Sequence, residues 1–301
     1  MKLGMVGLGK MGSHMTERLL KGGHQVVAFD RSPEAVKGIA QKGAGSASSL
    51  EKLAETLKSP RIAWIMVPSG KPTDETVASL KKLFSKGDIV IDGGNSFYKE
   101  SVAHAKDLSE KGISFLDAGT SGGIWGLEKG YCLMVGGEKA AFQTAEPIFK
   151  TLAPPDGYLY VGPSGAGHFV KMIHNGIEYA LLQAYGEGFA LLHGGPYDIP
   201  LDQVAHLWNQ GSVVRSWLLE LAERALSKNP DLSGIKGYVA DSGEGRWTVE
   251  EAVASGVPAT AIALSLFARF RSREDDSFSD KLIAALRNEF GGHDVKRSAK
   301  K

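Results

Sequence analysis

Short apolar runs alternate with amphipathic stretches of helical length through the first half of the chain. Runs of four to six apolar-rich residues ended by Gly, Pro or Asp read as buried strands, and intervening segments with a 3.6-residue apolar repeat read as helices. This predicts strands at Leu3–Val6, Gln25–Asp30, Ile62–Val67, Ile89–Asp92 and Ser114–Asp117, with further strands near Cys132–Val135 and Tyr158–Val161. Helices are expected around Met11–Lys21, Pro33–Gln41, Thr73–Phe84 and Lys99–Lys111. Strand–helix alternation of this kind builds a doubly wound, mostly parallel sheet. The pattern changes at Gly162-Pro163-Ser164-Gly165. Beyond it only helical periodicity continues, at Ala166–His193, Leu201–Gln210, Val213–Ser227, Val249–Ala254, Ala259–Arg271 and Phe278–Phe290. The expected organisation is an α/β domain over 1–163 and an all-α domain over 164–301.

Composition narrows the function classes. A hydrophobic content of 43% supports a real core, and 35 basic against 34 acidic residues give no sign of a nucleic-acid-binding surface. Cys132 is the single cysteine, so no intrachain disulfide or thiolate metal cage can form. The apolar stretch at the N-terminus is too short and glycine-rich for a signal peptide, and no run approaches a membrane span. A soluble, cytoplasmic protein is expected, with Lys296–Lys301 as a mobile basic tail.

Chemistry first shows at Gly7-Leu8-Gly9-Lys10-Met11-Gly12, a GxGxxG that follows the first strand and opens a helix. The first glycine permits the tight turn, the second lets backbone approach a pyrophosphate, and the third lets helix and strand pack closely. The helix N-terminus then offers N–H groups and partial positive charge to phosphates. The expected domain is therefore a Rossmann fold binding NAD(P). Asp30 ends the second strand 18 residues after Gly12. Its carboxylate suits the adenosine ribose hydroxyls and repels a 2′-phosphate, so NAD is preferred. Arg31 and Ser32 follow and leave NADP open, and a helix N-cap is the competing role for Asp30. Val67 and Pro68, at the end of the third strand, and Asn95 are placed in the cofactor-binding set.

The most informative segment is Gly165–Tyr179. On a helix, Lys171, His174, Asn175 and Glu178 fall at i, i+3, i+4 and i+7, one narrow stripe continued by Leu182. Phe169, Val170, Met172, Ile173 and Ile177 cover the other sides, as expected of a buried helix. Such a charged stripe must be paired or line a cavity. Lysine and glutamate two turns apart lie roughly 10 Å from each other along the axis, suited to opposite ends of a small substrate. A lysine beside a nicotinamide is a fitting base, because desolvation and the positive ring both disfavour its ammonium form. A solvated helix face is the bland alternative.

The chain resembles the decarboxylating 6-phosphogluconate dehydrogenases of the β-hydroxyacid dehydrogenase superfamily along essentially its whole length. GLGKMG, Asp92-Gly-Gly-Asn95-Ser96, Ser121-Gly122-Gly123, His168–Tyr179 (HFVKMIHNGIEY), Gly256-Val-Pro and Phe267-Ala-Arg269 carry the resemblance. It implies C3 oxidation of 6-phosphogluconate, loss of CO2 and protonation of the enediol to ribulose 5-phosphate. Lys171 would be base and then acid at the C3 oxygen, and Glu178 the acid at C1. Asn95, Ser121, Gly122, Gly123, His174 and Asn175 would hold the carboxylate and hydroxyls, and Tyr179 and Arg269 the phosphate. No metal is implied. Two departures stand out. The chain is shorter than the long members, and Ser242 of Asp241-Ser-Gly-Glu-Gly-Arg246-Trp247 occupies the place of a phosphate-binding lysine, with Arg246 nearby to compensate. The segment Arg287–His293 resembles the tail that reaches into the partner subunit, which implies Arg287 and His293 acting in trans within a homodimer or tetramer.

Other roles stay open at this stage. Asn95 and Ser121-Gly122-Gly123 also suit strand-end turns, Arg269 a surface helix position, and His293 a frayed helix end. The tail can also close over its own subunit. A non-decarboxylating β-hydroxyacid dehydrogenase or semialdehyde reductase would share the Lys171 chemistry, and a dinucleotide-sensing protein would share the glycine loop.

Overall fold

The computed structural model describes residues 1–297, and residues 298–301 of the basic tail lie outside the described residues. Eight strands form one sheet: β1 (Lys2–Val6), β2 (Gln25–Phe29), β3 (Gly45–Ser46), β4 (Ile62–Ile65), β5 (Ile89–Asp92), β6 (Ser114–Ser121), β7 (Cys132–Gly137) and β8 (Tyr158–Gly162). The first seven helices connect them: α1 (Lys10–Lys21), α2 (Pro33–Ala40), α3 (Leu50–Thr56), α4 (Lys71–Leu83), α5 (Tyr98–Ser109), α6 (Gly126–Lys129) and α7 (Lys139–Leu152). Then come α8 (Ala166–His193), α9 (Leu201–Trp208), α10 (Trp217–Lys228), α11 (Glu244–Ser255), α12 (Thr260–Arg271) and α13 (Phe278–Gly291). The doubly wound α/β fold followed by helices is as the sequence predicts.

The strand order is β3-β2-β1-β4-β5-β6-β7-β8, parallel throughout except where β7 runs against β6. Order reverses beside β1, and in such sheets the crevice outside the carboxyl strand ends at the reversal receives ligands. Because β1, β2, β4, β5 and β6 run the same way, the segments after them share one edge of the sheet. Alternate residues of each strand feed opposite faces. Leu3, Met5, Ile62, Trp64, Ile89 and Ile91 join α1 and α7 on one side. Ala63, Ile65, Val90 and Phe115 join residues of α3, α4 and α5 on the other.

Several boundaries and elements differ from expectation. The pattern missed α3, a seven-residue helix capped by Ser49, whose Oγ accepts Lys52 N–H at 3.3 Å. It missed α7 because Pro147 sits mid-helix. Proline in a helix interior is normally disfavoured. Here Ala141, Phe142, Ala145, Ile148, Phe149 and Leu152 bury a full apolar face, which outweighs it. The helix expected over Val213–Ser227 begins only at Trp217, because Ser216 caps it by accepting Leu219 N–H at 3.0 Å. The one expected over Val249–Ala254 is longer, Glu244–Ser255.

The chain divides into two compact units, Met1–Asn175 and Gly176–Lys301, with the division falling within α8. In the second unit α9 packs on α10 and α11 on α12. Among the described residues no helix is long and apolar enough to cross a membrane.

Candidate active site

The glycine loop has the geometry its motif requires. Gly7 has φ +95°, and a Cβ there would lie 2.5 Å from the Met66 carbonyl oxygen. A Cβ on Gly12 would lie 2.1 Å from the Gly7 carbonyl oxygen, so no larger residue fits between turn and helix. At Gly9, the N-cap of α1, a Cβ would meet nothing within 4 Å, so this backbone faces open space. No acidic residue stands in the first turn of α1 to compete with a phosphate for its N–H groups. Leu8, Lys10 and Met11 complete this loop and helix start.

Asp30 is fixed from both sides: Oδ2 accepts Leu8 N–H at 2.6 Å and Oδ1 accepts Ser32 N–H at 2.7 Å. The N-cap of α2 is Ser32, whose Oγ accepts Ala35 N–H. Asp30 is thus a loop-bound carboxylate beside the glycine turn and not the helix cap. Arg31 is held by Glu75 at 3.0 Å in an exposed ion pair. Val67 and Pro68 follow β4, and the Pro68 carbonyl accepts Thr73 Oγ1 at 2.9 Å.

After β5, the buried Asp92 organises its own loop, accepting Gly94 N–H at 2.9 Å and Ser96 Oγ at 2.7 Å. Gly93 lies against Trp64, where a Cβ would be 2.2 Å from Nε1. The turn presents Asn95 to solvent. Ser121 ends β6, and Gly122 and Gly123 turn the chain with φ +128° and +52°.

The start of α8 is set down on β6 and β7 by glycines. A Cβ on Gly167 would be 2.2 Å from the Asp117 carbonyl, and one on Gly119 would be 2.4 Å from Lys171 Cβ. Asp117 accepts the N–H groups of Gly165 at 2.8 Å and His168 at 2.9 Å, a carboxylate satisfying the orphan donors of a helix N-terminus. Burial pushes the Asp117 carboxyl above its usual range, with nearby His168 and these backbone donors opposing. Lys171 is thereby brought beside the end of β6. Its Nζ donates to Asn175 Oδ1 at 2.6 Å and lies 3.4 Å from His174 Nδ1, and His174 Nε2 lies 3.3 Å from Ser121 Oγ. Lys171 and Asn175 are each 8% exposed, so this polar group is largely withdrawn from water. Asp117 carried no role in the sequence reading. Its signal was a carboxylate inside an apolar strand run, which cannot be buried without partners.

The second unit holds its own polar cluster. The Arg269 guanidinium carbon sits 3.4 Å from the centre of the Tyr179 ring, and Arg269 donates to the Ala240 carbonyl at 3.0 Å. Tyr179 is buried, and its hydroxyl accepts Ser242 N–H at 3.3 Å. Arg246 does not stand beside Ser242 as a free substitute for lysine. It binds Asp241 through two contacts of 2.6 and 3.2 Å and lies over Phe270. Arg273 holds the other side of Asp241 at 2.6 Å, and these arginines keep that carboxyl below its usual range. Glu178 is half-buried on α8. Arg287 and His293 are exposed, and among the described residues neither side chain makes a hydrogen bond or ion pair.

Comparison with known proteins shows the family. The family profile described as the NAD binding domain of 6-phosphogluconate dehydrogenase matches residues 2–162, and that of the 6-phosphogluconate dehydrogenase C-terminal domain matches residues 167–278. A Haloferax volcanii protein named 6-phosphogluconate dehydrogenase, NAD(+)-dependent, decarboxylating, is 48% identical over 99% of both chains. A Bacillus subtilis protein of the same name is 37% identical over 90% of this chain and 61% of its own. Among solved structures, Plasmodium falciparum 6-phosphogluconate dehydrogenase, described with its cofactor NADP+ and its substrate 6-phosphogluconate, aligns with a TM-score of 0.84 at 29% identity, covering 100% of this chain and 67% of that one. With the NAD-binding fold, the lysine helix and these matches in agreement, the chain belongs to the 6-phosphogluconate dehydrogenase family of enzymes.

Proposed function

We propose that this enzyme oxidises 6-phosphogluconate at C3 with NAD and decarboxylates the product to ribulose 5-phosphate. The observation that carries the reading is the Lys171–Asn175–His174–Ser121 group, withdrawn from water at the sheet edge that also bears the dinucleotide loop. NAD would be held by the Gly7–Gly12 loop and Asp30 and would supply the hydride acceptor for C3. Neutral Lys171 takes the C3 hydroxyl proton as hydride departs. As ammonium it then donates to the C3 ketone oxygen while the C1–C2 bond breaks, CO2 leaves and the electron pair forms the enediol. Glu178 protonates the carbon that lost CO2, which becomes C1 of the product. Asn175 holds Nζ in position through its side-chain oxygen, and Ser121, Gly122, Gly123, His174 and Asn95 bind the carboxylate and hydroxyls. Tyr179 and Arg269 bind the phosphate.

NAD is favoured over NADP because Asp30 is already fixed where a ribose is to be gripped, and Arg31 is engaged by Glu75. The name of the Haloferax relative supports the same choice. We place the domain boundary at 163/164, which the meeting of the two family profiles between 162 and 167 supports. Assembly into homodimers, with Arg287 and His293 completing the partner's phosphate site, is supported by α13, which buries no residue within one chain. Loss of charge-assisted hydrogen bonds worth about 1.5–3 kcal/mol should raise the KM of Arg269→Ala for 6-phosphogluconate at least tenfold. An unchanged KM removes Arg269 from the phosphate site. Glu178→Gln should slow release of ribulose 5-phosphate more than the first hydride transfer, and equal slowing of both would deny it the acid role.

A further inference from the structure

The cluster on α8, α11 and α12 carries a buried carboxylate where an anion is to be held. Glu244 is 4% exposed, accepts Ser242 Oγ at 2.8 Å, and lies 3.5 Å from the Tyr179 hydroxyl. Arg269 stacks on the same ring, and among the described residues no carboxylate pairs with it. Asp241 is taken up by Arg246 and Arg273. An oxyanion gripped by Tyr179 and Arg269 therefore lies within two hydrogen-bond lengths of Glu244. A fully ionised oxyanion there sets charge against charge away from water, where screening is weak. An oxyanion that keeps one proton donates it to the carboxylate, and the repulsion becomes a short charge-assisted hydrogen bond.

We propose that Glu244 makes this pocket selective for a protonated oxyanion, the monoanionic form of a phosphate monoester, over a dianion of the same shape. This rests on the reading that Tyr179 and Arg269 hold the substrate's phosphate. A phosphate monoester loses its second proton near pH 6, so the selectivity falls within the working range of most enzymes. The titratable and charged groups around Glu244 are Tyr179 on α8, Asp241 before α11 with its partners Arg246 on α11 and Arg273 just after α12, and Arg269 on α12. Arg287 and His293 join them if the tail engages. Whatever the tail contributes is common to wild type and a Glu244 variant and cancels between them.

Inorganic phosphate and sulfate provide a probe that needs no turnover. Sulfate has nearly the same shape but carries no proton above pH 5. Calorimetric titration of the wild-type enzyme with each anion, from pH 5.5 to 8.5, should show phosphate binding at least tenfold tighter at the acid end. That advantage should shrink as phosphate loses its second proton. In Glu244→Gln the two anions should bind within about twofold of each other throughout. Equal affinities in the wild type overturn the proposal, as does an advantage that survives in Glu244→Gln. A wild type that shows the discrimination yet does not oxidise 6-phosphogluconate leaves the pocket's selectivity standing and removes the substrate assignment.

Discussion

The two units of the chain satisfy their apolar residues in different ways. In the first, the sheet is covered on both faces, and Leu3, Met5, Trp64, Ile65, Ile91 and Phe149 are fully buried. In the second, large side chains stand in water: Val213 is 102% exposed, Phe278 78%, Phe290 76%, and Leu282, Ile283 and Leu286 about half. Four of these, Phe278, Leu282, Ile283 and Leu286, share α13 with Phe290. The difference shows where each unit's stability comes from. A sheet with helices on both sides completes its core within one chain, whereas α13 carries apolar residues and buries none within the chain.

Lys171 is placed by the self-sufficient unit through Asp117, Gly119 and Gly167. Lys171→Met should therefore lower kcat by about 10³-fold, within the range for general acid–base groups, while leaving Tm and NAD affinity near wild type. A collapse of NAD binding in this variant would mean that the lysine supports the cofactor domain as well.

The second unit is tested through α13. If the proposed homodimer forms through α13, Ile283→Asp with Leu286→Asp should convert it to monomers by sedimentation and cut turnover by about tenfold or more, with the NAD-binding unit still folded. An oligomeric state and activity that survive both charges would leave the exposed stripe without a partner. Gly119 tests the first unit from inside. Gly119→Ala places a Cβ 2.4 Å from Lys171 Cβ and should cost about 1–3 kcal/mol in denaturant unfolding together with a drop in kcat.

Asp30→Asn should move the NAD/NADP ratio of kcat/KM toward NADP by about tenfold, the scale of one lost charge-assisted contact. An unmoved ratio would give selectivity to other residues. The smallest effect belongs to the surface of the first unit. Lys42 and Lys21 hold the Glu17 carboxyl down to about 2. A depressed carboxylate contributes stability above its unfolded value of 4.5 and loses it as pH falls toward about 2. Glu17→Gln should cost under about 1 kcal/mol at pH 7 and less than half of that at pH 2 in thermal unfolding, since the lysines are exposed.

The sheet was legible because strands buried on both faces leave continuous apolar runs, and the glycine turn because only glycine tolerates its contacts. The elements missed carried weak or contrary local signals: α3 is barely two turns long, and Pro147 masks α7. The Lys171 stripe was visible from spacing alone. Its support was not, because Asp117, Gly119 and Gly136 reach α8 from strands distant in sequence. Glu244 gave no sign of its burial, since a buried carboxylate in a stretch of polar residues cannot be read from the pattern.

The central claim is that Lys171 drives oxidation and decarboxylation of one substrate at this site. The most direct measurement is steady-state reduction of NAD, and separately NADP, by 6-phosphogluconate, with CO2 release followed in the same reaction. One CO2 should form for each NADH, with a higher kcat/KM for NAD than for NADP. Reduction without CO2, or none with either cofactor, would contradict that claim.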